Sequence, residues 1–337
     1  MTYIANVNRY KNMPYRRVGR SGLLLPAISL GLWHNFGSVD DIENARDMLH
    51  TAFDNGVTHF DIANNYGPES GSAEFNFGKI FHEDFENYRD ELIISTKAGH
   101  LMWPGPYGDW GSRKSILASL DQSLKRMNLS YVDIFYSHRP DPSTPIEETM
   151  GALKTALDSG KALYVGIAKY NANQTKKALS VADKLGFRLL IHQTRYSIFN
   201  REVEAELLDE LENEKIGAIA FQPLSQGMLI DKYLNGIPEG SRIRKPDASL
   251  KEDDMTEERL VQIRQLNDIA RSRGQSLAQM AISWVLKMRP ESKSTPISSA
   301  LIGASSSKQI LENLQALDKL EFSVDELFLI DQISLKL

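Results

Sequence analysis

The chain has 337 residues, 42% of them hydrophobic and 25% charged, which suits a globular protein and needs no second domain at the size of an α/β barrel with insertions. A formal net charge of −5 speaks against a general nucleic-acid binder and against a surface drawn to anionic lipid. The absence of cysteine excludes disulfides, thiolate nucleophiles and cysteine metal sites together and fits a reducing compartment.

The opening stretch, MTYIANVNRYKNMPYRR, lacks the uninterrupted apolar run of a secretory leader, and no apolar span of 18 residues follows. A cytoplasmic protein without membrane insertion is expected. GRSG at 19–22 reads as a turn, not as a phosphate loop. β-rich apolar runs then alternate with longer amphipathic ones, the pattern of repeated βα units around a parallel sheet. Eight strands are predicted: AISLGLW (27–33), THFDIA (58–63), LIISTKA (92–98), VDIFYSH (132–138), ALYVGIA (162–168), LLIHQT (189–194), GAIAFQPL (217–224) and SALIGA (299–304). Between them, segments such as 41–55, 113–128 and 147–159 repeat apolar residues at three- and four-residue spacing and read as outer helices. Gly56, Asn128 and Gly160 are suited to the left-handed residue that ends a helix. The expected fold is a (β/α)8 barrel, one domain over 1–337.

Three stretches exceed the simple repeat. Residues 100–111 (HLMWPGPYGDWG) gather Trp103, Tyr107 and Trp110 after the third strand and are expected to wall a substrate pocket. Residues 225–255 follow the seventh strand and carry Lys232, Arg242, Arg244 and Lys245. The tail from Leu320 contains SVDELFLIDQI, a predicted terminal helix.

Asp61, Tyr66, Lys97 and His138 sit at or just beyond the ends of three successive strands. A strand that delivers a charge at its exit needs a partner or a site to receive it. Three consecutive strands doing so at one end point to a rim converging on one pocket. Taken singly, each residue has an ordinary reading: Asp61 as a cap, Tyr66 as a loop aromatic, Lys97 as a solvated strand end and His138 as a core histidine.

The wording around them is specific. FDIANNYG, STKAG and YSHRPD, together with GRSGLLLPAISLGLW, QTRYSIFNR, QPLSQGML and LIGASSSKQILEN, resemble the aldo-keto reductases across nearly the whole chain. The nearest branch holds bacterial glyceraldehyde-3-phosphate (aldehyde) reductases and voltage-gated potassium channel β subunits.

The resemblance implies NADPH-dependent reduction of aldehydes or ketones by hydride transfer. Charge building on the carbonyl oxygen then needs a proton donor, for which Tyr66 is the candidate. Lys97 would favour the phenolate and bring the Tyr66 pKa down toward working pH, with Asp61 as counter-charge. His138 would orient the carbonyl oxygen or share the proton. Asp61 also counts among the cofactor contacts.

For the cofactor, NADP(H), Ser305, Gln309, Glu312 and Asn313 match positions at the adenosine end, and the amides opening that helix suit a phosphate. Lys232 and Arg242 match residues that clasp the dinucleotide phosphates, which favours NADP(H) over NAD(H). Phe221 matches the ring under the nicotinamide and Gln193 its carboxamide partner. Trp33 at the strand-one exit, Pro223, Leu224 and Gly227 after strand seven and Gly303 at strand eight complete the implied set. No metal site is expected.

Three positions depart from the family pattern. Ile62 stands in the usual threonine place, Ala168-Lys169 replaces a pair that usually begins with serine, and Gln222 stands where serine is common. Two other functions suit the same barrel. RPDPSTPIEET resembles the channel β subunits and would make the protein a nucleotide-binding redox reporter for a membrane partner, while Lys97 as a Schiff-base lysine would make it an aldolase. The substrate stays open: the loop aromatics suit aryl groups, whereas Arg139 and the loop bases suit a phosphorylated triose or methylglyoxal. Relatives on this branch form multimers, so a homo-oligomer is compatible with the resemblance.

Overall fold

The computed structural model describes residues 3–234, 252–289 and 292–335. A short antiparallel hairpin comes first, β1 (Tyr15–Arg17) and β2 (Leu24–Pro26). GRSG is the turn between them, tied by Val18 N–H to the Leu23 carbonyl and by Ser21 to the Val18 carbonyl. Strands this short show no period, so the hairpin was not visible as strands in the sequence.

The barrel strands are β3 (Ile28–Gly31), β4 (His59–Asp61), β5 (Ile93–Ala98), β6 (Val132–Ser137), β7 (Ala162–Ala168), β8 (Ile191–Arg195), β9 (Gly217–Phe221) and β10 (Ile297–Ile302). All neighbouring pairs are parallel, and β10 closes on β3. This is the expected (β/α)8 barrel. β9 stops at Phe221, three residues before the predicted end, because Gln222 turns into the left-handed region (φ +56°) and leaves the sheet.

Helices α1 (Ile42–Asp54), α2 (Ser72–Ile80), α3 (Arg113–Met127), α4 (Ile146–Asp158), α5 (Ala172–Lys184), α6 (Leu207–Asn213), α7 (Glu257–Ser272), α8 (Leu277–Val285), α9 (Ser307–Leu314) and α10 (Val324–Ser334) surround or follow the strands. Seven of these ten starts are set by side chains that accept the first free amides; α2, α4 and α6 begin without one. Asp41 caps α1 and Ser112 caps α3, while Asn171 with Gln174 forms a reciprocal box on α5. Asn128 ends α3 at φ +53°, as its residue type suggested.

One apolar core fills the space between helices and sheet. A second, inside the barrel, joins Val18 and Leu25 of the hairpin region to Ile134, Tyr136, Ile191 and Ile219. Val18 packs onto Gly217 at the start of β9, where an added Cβ would lie 2.3 Å from the Val18 side chain. The hairpin therefore plugs the N-terminal mouth, and the C-terminal mouth is left to carry the site.

Candidate active site

A cleft of about 620 Å³ opens at the C-terminal rim. Its described lining includes Trp33, Asp61, Tyr66, His138, Gln193, Phe221, Pro223, Leu224, Gly227, Lys232, Gly303, Ser305 and Gln309. Lys97 lies just beneath, its side chain fully buried. Glu312 and Asn313 do not line the cleft: Glu312 pairs with Lys308 along α9, and Asn313 is buried behind it. Arg242 lies outside the described residues, as do Arg244 and Lys245.

Lys97 is the hub. Its ammonium donates to Asp61 Oδ2 at 2.5 Å, to the Ile62 carbonyl at 2.7 Å and to the Tyr66 hydroxyl at 3.3 Å. Burial alone would lower its pKa, but the Asp61 carboxylate and the Tyr66 phenol outweigh burial and hold it above the ordinary lysine value. An ammonium so enclosed is charged and has no free lone pair, which argues against the Schiff-base role.

Tyr66 corrects an expectation. Burial raises its pKa; Lys97 pulls the other way without cancelling it, so the net direction is up. The phenol is thus held in its protonated form rather than brought down toward neutrality.

Asp61 is braced from behind. Ser95 donates to Oδ1 at 2.6 Å and Gln193 Nε2 donates to the same oxygen at 3.1 Å. Because the Ser95 hydroxyl gives its proton to Asp61, it accepts from His59 Nε2, 2.9 Å away. Burial lowers the His59 pKa to about 4, so this imidazole is neutral and its Nδ1 accepts from Ser29 at 2.9 Å. Ser29 in turn sits 2.6 Å from Ser299. A directed chain of buried hydrogen bonds therefore runs from β10 through β3, β4 and β5 to the carboxylate.

His138 meets Tyr66 edge-on, ring centroids 5.9 Å apart, and its Nδ1 is buried without a hydrogen-bond partner. Burial, reinforced by Lys97 and Lys169, pushes its pKa well below the ordinary histidine value. His100, the first residue of the 100–111 stretch and not singled out there, lines the same cleft. Lys169, of the Ala168-Lys169 pair that departs from the family pattern, lines it too.

The loop over 100–111 differs from expectation. Trp103, Tyr107 and Trp110 are not among the lining residues. Trp110 instead lies 3.6 Å under the Arg139 guanidinium, which also binds Asp109 at 2.7 Å and the Gly99 carbonyl at 2.7 Å. Arg139 is thus committed to the loop. Asp141 accepts from the amides of Gly111, Ser143 and Thr144, so the RPD start of RPDPSTPIEET serves this local architecture.

The residues present fit a dinucleotide. Phe221 offers a ring face, Asn65 Oδ1 lines the cleft buried and without a partner, and nothing lies within 4 Å of a Cβ built on Gly227 or Gly303. Phosphate-type donors, Lys232 and Ser305, line the same space.

A sequence model of the Aldo/keto reductase family matches residues 27–335. The chain is 56% identical over 336 residues to the L-glyceraldehyde 3-phosphate reductase of Escherichia coli K12, covering 98% of this chain and 95% of that protein. It is 36% identical over 312 residues to a probable voltage-gated potassium channel subunit beta of Oryza sativa subsp. japonica, covering 91% and 92%. An Arabidopsis thaliana protein of the same description matches at the same identity and length. Aldo/keto reductases generally use NADP(H). With its closed parallel barrel and these matches, the chain belongs to the aldo/keto reductase family and is an NADP-dependent oxidoreductase that reduces aldehydes or ketones.

Proposed function

We propose that Tyr66 is the proton donor of this reduction, that Lys97 and Asp61 are the charge pair that tunes it, and that His138 orients the carbonyl oxygen. One observation carries the reading: Lys97 bridges Asp61 and the Tyr66 hydroxyl at the base of the cleft, 2.5 and 3.3 Å away. Bound NADPH supplies the hydride. Tyr66 delivers a proton to the oxygen as negative charge develops there, and the Lys97 ammonium stabilises the phenolate left behind. His138, neutral, offers a ring N–H to the same oxygen. Gln193 and Phe221 hold the nicotinamide end, and Trp33, Pro223, Leu224, Gly227 and Gly303 shape the cofactor groove. Lys232, Ser305 and Gln309 take phosphate and adenosine groups, with Arg242, Glu312 and Asn313 assigned there by family position. The extra phosphate makes NADPH the preferred nucleotide.

Short aldehydes are the proposed substrates, and glyceraldehyde 3-phosphate is the first to test because the relative at 56% identity bears its name. The test is NADPH oxidation against short, aromatic and phosphorylated aldehydes, with Tyr66→Phe alongside. Turnover equal in the variant and the parent would overturn the assignment of roles.

A further inference from the structure

We infer that Lys169 recognises an anionic group on the substrate, so that the cleft prefers carbonyl compounds carrying a phosphate or carboxylate; the inference rests on the reductase reading. Lys169 follows β7 and adopts φ +62°, a conformation uncommon for a residue with a side chain, and its N–H is held by the Gln193 carbonyl at 3.0 Å. Its side chain is exposed to the cleft, with the ammonium 5.8 Å from the centre of the Phe221 ring.

The other charges nearby are already used. Asp61, the only carboxylate among the described lining residues, is bound to Lys97. Arg139 is held by Asp109 and Trp110. Lys169 has no carboxylate partner among the described residues. The charged and titratable groups that act on it are Lys97, from β5, and Arg139, after β6, with the neutral imidazoles of His100 and His138 beside them. Enclosure in the cleft and those two like charges lower its pKa to about 8, so it is mostly cationic at neutral pH and gains from any anion that arrives. The second lining lysine, Lys232, follows β9 and is assigned to the dinucleotide. That leaves Lys169, whose charge is felt by His138, for the substrate.

The experiment compares Lys169→Met and Lys169→Arg with the parent on two matched pairs: glyceraldehyde 3-phosphate with glyceraldehyde, and succinic semialdehyde with butanal. For the charged member, Lys169→Met should raise KM by about 10- to 100-fold, the worth of one charge-assisted contact, with kcat changed less than about threefold. The neutral member should be nearly unaffected, and Lys169→Arg should restore most of the loss. An effect in the first pair alone marks a phosphate site, and one in both a general anion site. In the parent, KM for the charged aldehyde should rise above pH 8, a rise that Lys169→Met abolishes. Equal effects on charged and neutral partners, or a matching loss of NADPH affinity in direct binding, would overturn the inference. A second readout separates it from the reductase reading: binding of inorganic phosphate to the NADPH-saturated protein, followed by nucleotide fluorescence. Lys169-dependent phosphate binding without aldehyde reduction would leave the anion site standing and sink the reductase roles; reduction with neither readout dependent on Lys169 would do the reverse.

Discussion

His100 stands edge-on to His138, ring centroids 4.5 Å apart and planes at 87°. Burial depresses both imidazoles, His100 to about 4, and neighbouring cations add to it. A group whose pKa is lowered on folding gains its proton only well below the ordinary histidine range. The rate of reduction should therefore stay flat as pH falls from 7.5 to 5.5. A limb near 6.5 that vanishes in His138→Gln would contradict this account.

Tyr66→Phe keeps the ring against Trp33 and His138 while removing the hydroxyl that Lys97 holds. Single-turnover measurements should show kcat reduced by about 10²–10⁴, with nucleotide dissociation little changed and the unfolding midpoint close to the parent. Retention of more than roughly a third of turnover, where chemistry limits the rate, would move the donor role elsewhere.

Lys97→Met strands the Asp61 carboxylate in the interior with Ser95 and Gln193 as its remaining side-chain donors. Breaking a buried pair this way costs about 3–5 kcal/mol, readable by urea unfolding. Turnover should fall with nucleotide binding nearly intact. Since the ammonium pulls the Tyr66 pKa down against burial, its loss should shift the alkaline limb of the pH profile to higher pH. An unmoved limb would separate Lys97 from the proton donor.

Ser95→Ala cuts the chain behind Asp61, removing one donor to the carboxylate and leaving His59 Nε2 without its acceptor. The expected cost is about 1.5–3 kcal/mol of stability, with kcat reduced and KM nearly constant. Full activity and stability would make the chain ornamental.

Lys232→Ala should weaken NADPH by about tenfold in fluorescence titration and NADH by less, because the ammonium is assigned to phosphate. Equal weakening would place Lys232 on groups the two nucleotides share.

The repeating units and the charged strand exits were legible in the sequence because each is a local pattern: THFDIA and LIISTKA announce both a strand and the charge at its end. What escaped depends on closure. Ser29 and Ser299, 270 positions apart, become neighbours only when β10 docks on β3, and serines within apolar strands carry no mark of that meeting. The net direction of the Tyr66 shift is hidden for a related reason: the ammonium that lowers it is legible in STKAG, whereas the desolvation that outweighs it comes only with the folded cleft. Arg139 looked available as a substrate base until the loop over 100–111 folded back onto it.

The chain of hydrogen bonds that braces Asp61 has its far end on β10, the last strand of the barrel. During synthesis from the N-terminus, Asp61, Tyr66, Lys97 and His138 all emerge long before Ser299. A nascent chain thus holds all four without the seam that braces the Asp61 carboxylate, and without the Ser305 and Gln309 wall of the cleft. The proposed machinery is therefore complete only once the last strand has docked on β3, and a truncated barrel would hold its residues without the bracing that reaches Asp61 from β10.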